Sequence, residues 1–154
     1  MPLRKVLVAY DGSEQSKRAL DHAAEIASAF KGSLIILTVV PKVSIPVFPD
    51  EGFGSFPMST PSDFADYEEK MKSVYGKSQE EAVKHIREKY PSLQVGAELL
   101  EGRPSSTIDE EAERNGVDVI VMGSRGIGGI SGWILGSTSR RVAETCTKPV
   151  LIVK

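Results

Sequence analysis

Cysteine occurs once in the 154 residues, at Cys146, which excludes an intramolecular disulfide and any multi-cysteine metal cage. A reduced, cytoplasmic setting is the corresponding expectation. Histidine occurs only as His22 and His85, on two separate amphipathic segments, where boundary or surface positions are expected. No His, Cys, Asp and Glu cluster has metal-ligand spacing, and no Gly-x-Ser-x-Gly elbow offers a nucleophilic serine. Charge of one sign is not in excess. With 19 Lys plus Arg against 21 Asp plus Glu, a net charge of -2 excludes nucleic-acid recognition through a broad basic surface. Long apolar runs are missing too. The longest charge-free stretch, Gly126 to Ser139, is rich in Gly and Ser, so no membrane span is expected. The opening Met1-Pro2-Leu3-Arg4-Lys5 leads into no apolar segment of signal-peptide type, and none is expected.

What is present fits one globular domain over residues 1–154, 40% hydrophobic and 26% charged. Four short runs, Val6 to Ala9, Leu34 to Val40, Val117 to Met122 and Val150 to Val153, are almost continuously apolar. Unbroken rather than alternating apolarity indicates strands buried on both faces, as in a parallel sheet covered by helices. A fifth candidate, Leu93 to Leu100, alternates and reads as an edge strand. Helical spacing fills the gaps. From Glu14 to Phe30, Ala19, Leu20, Ala23, Ala24, Ala27 and Phe30 recur at steps of three and four, with Ser13 as N-cap and Gly32 at the stop. From about Asp63 to Tyr90 the inward face is assigned to Tyr67, Met71, Val74, Ala82 and Ile86. A third helix starts at Pro104 and runs to about Asn115-Gly116; a fourth starts near Ser137. Strict alternation of strand and helix predicts an α/β fold with right-handed crossovers, an open doubly wound parallel sheet.

Residues 41–62 interrupt this order with five prolines and three phenylalanines. Such an excursion either packs its own side chains on the surface or serves as a lid or partner contact. The most informative segment lies between the fourth strand and the fourth helix. Six of the 14 glycines fall within 123–136. Glycines after a buried strand let the backbone turn its N–H groups toward an anion, and the helix beginning at Ser137 adds its positive end. Ser137 and Thr138 contribute hydroxyls, and Arg125 a permanent charge. Gly76-Lys77-Ser78 imitates the tail of a Walker A loop, but Met71 stands where its first glycine belongs. Asp11, at the end of the first strand, either caps the first helix or meets a sugar hydroxyl; the two are compatible. Cys146 reads as a small buried apolar residue, and Trp133 as a loop anchor or a stacking group.

Gly123-x2-Gly126-x9-Gly136-Ser137 resembles the nucleotide motif of the universal stress protein family, in its ATP-binding branch. The opening Val-Leu-Val-Ala-Tyr-Asp11-Gly-Ser, Gly102-Arg103-Pro104 and the closing Lys148-Pro149-Val150-Leu-Ile-Val match in the same order. The resemblance implies a Rossmann-like fold of the adenine nucleotide alpha hydrolase type, five parallel strands in the order 3-2-1-4-5 with helices on both faces. It implies a stress-response module binding ATP together with Mg²⁺, the metal held by phosphate or by Asp11. Ala9, Asp11 and Val39 match positions around adenine and ribose; Met122, Gly123, Arg125 and Gly126 match the first half of the phosphate loop, and Gly136, Ser137 and Thr138 the second. No base poised to activate water is evident, so hydrolysis is expected to be slow at most. Alternatives are a hydrolase or transferase acting at the α-phosphate, or a binder of AMP or a cyclic nucleotide. Asp11-Gly12-Ser13-Glu14-Gln15-Ser16 fits the Ser-Gly-Gly-x-Asp-Ser-like loop of the hydrolase relatives poorly. The apolar terminal strand 149–154, as a sheet edge, is expected to pair with a second copy in a homodimer, alongside an unknown protein partner.

Overall fold

The computed structural model describes residues 2–42, 61–125 and 135–154, with side chains from residue 64 onward in the second of these segments. Five strands alternate with four helices: β1 (Lys5–Ala9), α1 (Glu14–Ala29), β2 (Ser33–Pro41), α2 (Pro61–Lys89), β3 (Gln94–Gly102), α3 (Pro104–Arg114), β4 (Val119–Gly123), α4 (Ser137–Thr145) and β5 (Val150–Val153). All pairings are parallel and the strand order is β3-β2-β1-β4-β5, as expected. β1 and β4 lie side by side, with Ala9 opposite Met122. Connections leave β1 toward one edge and β4 toward the other, so a crevice opens at their C-terminal ends.

The continuous apolarity of the inner strands has a direct cause. Val6, Val8, Leu34, Ile36 and Val121 pack under α1 and α2, against Ala19, Ala23, Ala27, Ala82 and Ile86. The alternate residues Leu7, Leu37, Ile120 and Met122 pack on the other face, against Ile108 and Ala112 of α3 and Val142 of α4. Both pleat faces are therefore sealed, and no position on β1 between Val6 and Val8 can be polar. β3, at the edge, alternates between exposed and half-buried residues.

One local expectation is corrected and another is refined. Val74 does not face inward: it is 66% exposed, and Tyr67 is 39% exposed. The inward line of α2 instead runs through Met71, Tyr75, Gln79, Ala82 and Ile86. Val74 lies on the outer side of the helix, between the half-buried Met71 and Tyr75, so apolarity there does not report burial. Gln79 fastens the helix, donating through Nε2 to Ile36 O at 3.0 Å and Glu98 O at 2.7 Å. At the end of α1, Lys31 rather than Gly32 takes the left-handed conformation (φ 51). Lys31 N–H donates to Ser28 O at 3.1 Å and Gly32 N–H to Ala27 O at 2.8 Å, a Schellman closure. Gly32 is required for a different reason: a Cβ there would lie 1.8 Å from Arg4 O.

Beneath α3, Glu98 of β3 faces Glu111, with Arg114 and Asn115 beside them. Arg114 binds the Glu111 carboxylate and stands 3.6 Å from Glu98 Oε2. Burial, and then the hydrogen bond and charge of Glu111, raise the Glu98 carboxyl above the ordinary carboxylate range; Arg114 and Asn115 pull it partly back. A carboxyl raised in the folded state favours folding at low pH, and that contribution is lost as pH rises through the raised value. Glu98→Gln should therefore increase the urea midpoint at pH 7. The gain should shrink as pH falls and vanish below the ordinary carboxylate range, where Glu98 is protonated in both folded and unfolded chains. A gain that persisted at low pH would place its origin elsewhere.

Candidate functional site

The crevice at the carboxyl ends of β1 and β4 is a cleft of about 320 Å³. At one end are strand-end residues that are apolar because they continue the core: Ala9, Leu37, Val39 and Pro41, with Ile108 from α3. At the other end are Gly123, Arg125, Gly136, Ser137 and Thr138. Nine of the ten residues singled out from the sequence, Ala9, Asp11, Val39, Met122, Gly123, Arg125, Gly136, Ser137 and Thr138, thus line one space. Gly126, Trp133 and most of the 41–62 excursion lie outside the described residues.

The turn after β1 is fixed locally. Ser13 is the N-cap of α1, its hydroxyl accepting from Ser16 N at 3.2 Å. Asp11 plays the preceding part, with Oδ1 accepting from Ser13 N at 2.9 Å, so it shapes the turn rather than capping the helix itself. Gly12, at φ 86, passes so close to α2 that a Cβ would sit 2.7 Å from Ser78 Oγ. This contact brings α2 against the mouth of the cleft. Gly76-Lys77-Ser78 is helical within α2 and forms no phosphate loop.

The glycine-rich segment is anchored at both ends. Ser124 O accepts from Gly136 N and from Ser139 Oγ, each at 2.7 Å. Ser124 N in turn donates to Val153 O at 2.8 Å, tying the loop's start to β5. Gly136 is the N-cap of α4 and makes no side-chain cap hydrogen bond, so among the described residues no capping side chain covers the first-turn N–H groups of this helix. Gly123 is small because α1 is close: a Cβ would lie 2.8 Å from Gln15 Cβ.

Further contributors were not assigned to the site from the sequence. Gln15, with its amide oriented to satisfy both groups, donates to Arg125 O at 3.1 Å and accepts from the Arg125 guanidinium at 3.2 Å. Tyr75 reaches the cleft from α2, and Pro104 with Ile108 borders it from α3. Burial first, then the charge of Asp11, raises the Tyr75 phenol above its ordinary value, keeping it protonated at neutral pH. Each of these sits on a helical face where sequence period marks inward direction but not what lies opposite.

Elsewhere, His85 is exposed beside Asp21 at 3.3 Å, and His22 is exposed. Cys146 is only half-buried and forms the C-cap of α4, with burial raising its thiol. Among the described residues there is no group of three potential metal ligands, and no helix is long and apolar enough to cross a membrane.

The same chain order and sheet recur in known proteins. A universal stress protein of Bacillus subtilis, YxiE, is 34% identical over 152 residues, covering 97% of this chain and 98% of its own. The structure of UspA from Lactobacillus plantarum superimposes with a TM-score of 0.80 at 20% identity, over 100% of this chain and 99% of that one. A universal stress protein solved in complex with cAMP gives a TM-score of 0.70 at 27% identity, covering 100% and 99%. The model of the universal stress protein family matches residues 2–154, and with it the strand order and the glycine-rich turn find one explanation: the chain belongs to that family.

Proposed function

We propose that this chain is a nucleotide-binding stress-response module whose cleft takes ATP. One observation carries the reading: a single cleft runs from apolar strand ends beside Asp11 to Arg125 and the start of α4, where the N-cap Gly136 brings no side chain. A base and sugar fit the first end and phosphates the second. Ala9 and Val39 would border the base, Asp11 the ribose, and Met122, Gly123, Arg125, Gly126, Gly136, Ser137 and Thr138 the phosphates. Asp11 is the one carboxylate of the described lining. Mg²⁺, which commonly combines one or two carboxylates with phosphate oxygens, would enter with the nucleotide, and Asp11 is the residue placed to share in holding it. It would neutralise phosphate charge there. No histidine lines the described cleft, and the Asp11 carboxylate already accepts from the turn, so any hydrolysis is expected to be slow.

Binding of AMP or a cyclic nucleotide is the second reading, supported by the relative solved with cAMP. A second copy of the chain would join at β5, the sheet edge where Leu151 is 39% exposed, in a cytoplasmic homodimer. Calorimetric titration with ATP, with and without Mg²⁺, followed also by Trp133 fluorescence, should show saturable binding with little product over many hours. AMP and cAMP in competition rank the ligands, and sedimentation over a concentration range tests the dimer. Absence of heat and of any fluorescence change with ATP would reject the ATP reading.

A further inference from the structure

Tyr75 faces inward from α2 yet lies outside the core. Along the same line, Ala82 and Ile86 belong to the apolar cluster between α2 and the sheet, whereas Tyr75 belongs to neither cluster and lines the cleft instead. Its place is rigidly specified. One turn further on, Gln79 is hydrogen-bonded to two sheet carbonyls, and Ser78 packs where Gly12 has no side chain. α2 packs on β2 and β3, so Tyr75 approaches from the β2 side, the apolar end of the cleft, across the sheet from Arg125 and α4. Pro104 and Ile108 of α3 border the cleft from the opposite face of the sheet.

A half-buried aromatic ring, held by a fastened helix beside a carboxylate and facing apolar strand ends, is the surface a planar heteroaromatic group recognises. We propose that Tyr75 is the residue that reads the base of the bound nucleotide, by contact of its ring with the ring of the ligand. The proposal rests on the nucleotide reading above and adds the element that supplies base affinity. Stacking tolerates any base, because every base presents a π-face. Purine over pyrimidine preference would then follow from ring area, while the phosphate end sets affinity for charge. The phenol remains protonated beside Asp11 and adds no charge to this end of the cleft.

The test separates base from phosphate. ATP and inorganic triphosphate are titrated into wild type, Tyr75→Ala and Tyr75→Phe, with urea midpoints recorded for each. Tyr75→Ala should weaken ATP about tenfold, an effect of the size of one base stack, and leave triphosphate binding unchanged. Tyr75→Phe should retain wild-type affinity, because the ring and not the hydroxyl makes the contact. Unchanged ATP affinity in Tyr75→Ala overturns the proposal while leaving the nucleotide reading intact. An equal loss for ATP and triphosphate, or a loss in Tyr75→Phe matching that in Tyr75→Ala, also overturns it. Failure of wild type to bind ATP removes both.

Discussion

Gly32→Ala should destabilise the fold by about 3 kcal/mol, read as a lowered urea midpoint with an unchanged slope. The added methyl carbon would lie 1.8 Å from Arg4 O and 2.7 Å from Arg4 Cα, which are main-chain atoms and cannot swing aside. Arg4 O is also in use, accepting from Ser33 N at 2.7 Å where β2 begins to pair with β1. Admitting the methyl means separating these two strand starts and stretching the Gly32 N–H bond to Ala27 O. Overpacking costs roughly 1–3 kcal/mol, and a weakened main-chain hydrogen bond about 1 more. The neighbouring change Lys31→Gly works in the opposite sense, since a left-handed lysine is strained by about 1 kcal/mol and glycine is not. A Gly32→Ala midpoint equal to wild type would mean that the close approach does not exist.

Arg125→Ala should weaken ATP binding about a hundredfold, equivalent to roughly 2.7 kcal/mol, with the urea midpoint close to wild type. Arg125 is the one cationic side chain of the described lining, and Gln15 grips both its guanidinium and its carbonyl. A guanidinium held this way loses little freedom on meeting phosphate, so its charge-assisted hydrogen bonds count nearly in full. Wild-type affinity should fall with added salt more steeply than that of the variant. Equal affinities at low salt would remove Arg125 from the phosphate end. Substituting Gly123 is a poorer probe, because a side chain there meets Gln15 Cβ at 2.8 Å and its main-chain carbon at 3.0 Å. Such a variant would disturb α1 before it reported on any ligand.

Much of the sheet could be read from the chain because the cause is local. Val6, Leu7 and Val8 must all be apolar when both pleat faces are covered, and the alternation through β3 marks a strand with an open side. Helix starts were equally legible at Ser13 and Pro104, where capping chemistry is confined to one turn. The errors occurred where distant packing decides. Val74 continues an apolar period on the outer side of the helix, and Tyr75 beside it takes the inward direction. Gly32 stands one residue beyond the left-handed position, and its smallness answers to Arg4, just before β1. At the cleft, Asp11, Gly123 and Gly136 could be selected because strand ends and glycine-rich turns have a recognisable context. Gln15 and Tyr75 have none: each is an ordinary helical residue until α1 and α2 are placed beside β4 and β1.

The double use of Ser124 O has a consequence for the shape of the cleft before any ligand arrives. Its two hydrogen bonds, from Gly136 N and Ser139 Oγ, bring the chain back to the point from which it departs. The end of β4 and the start of α4 are thereby fastened to each other by contacts that no ligand has to create. The wall made by Gly123, Arg125, Gly136 and Ser137 is accordingly built in advance, and binding need not spend free energy on bringing these two elements together.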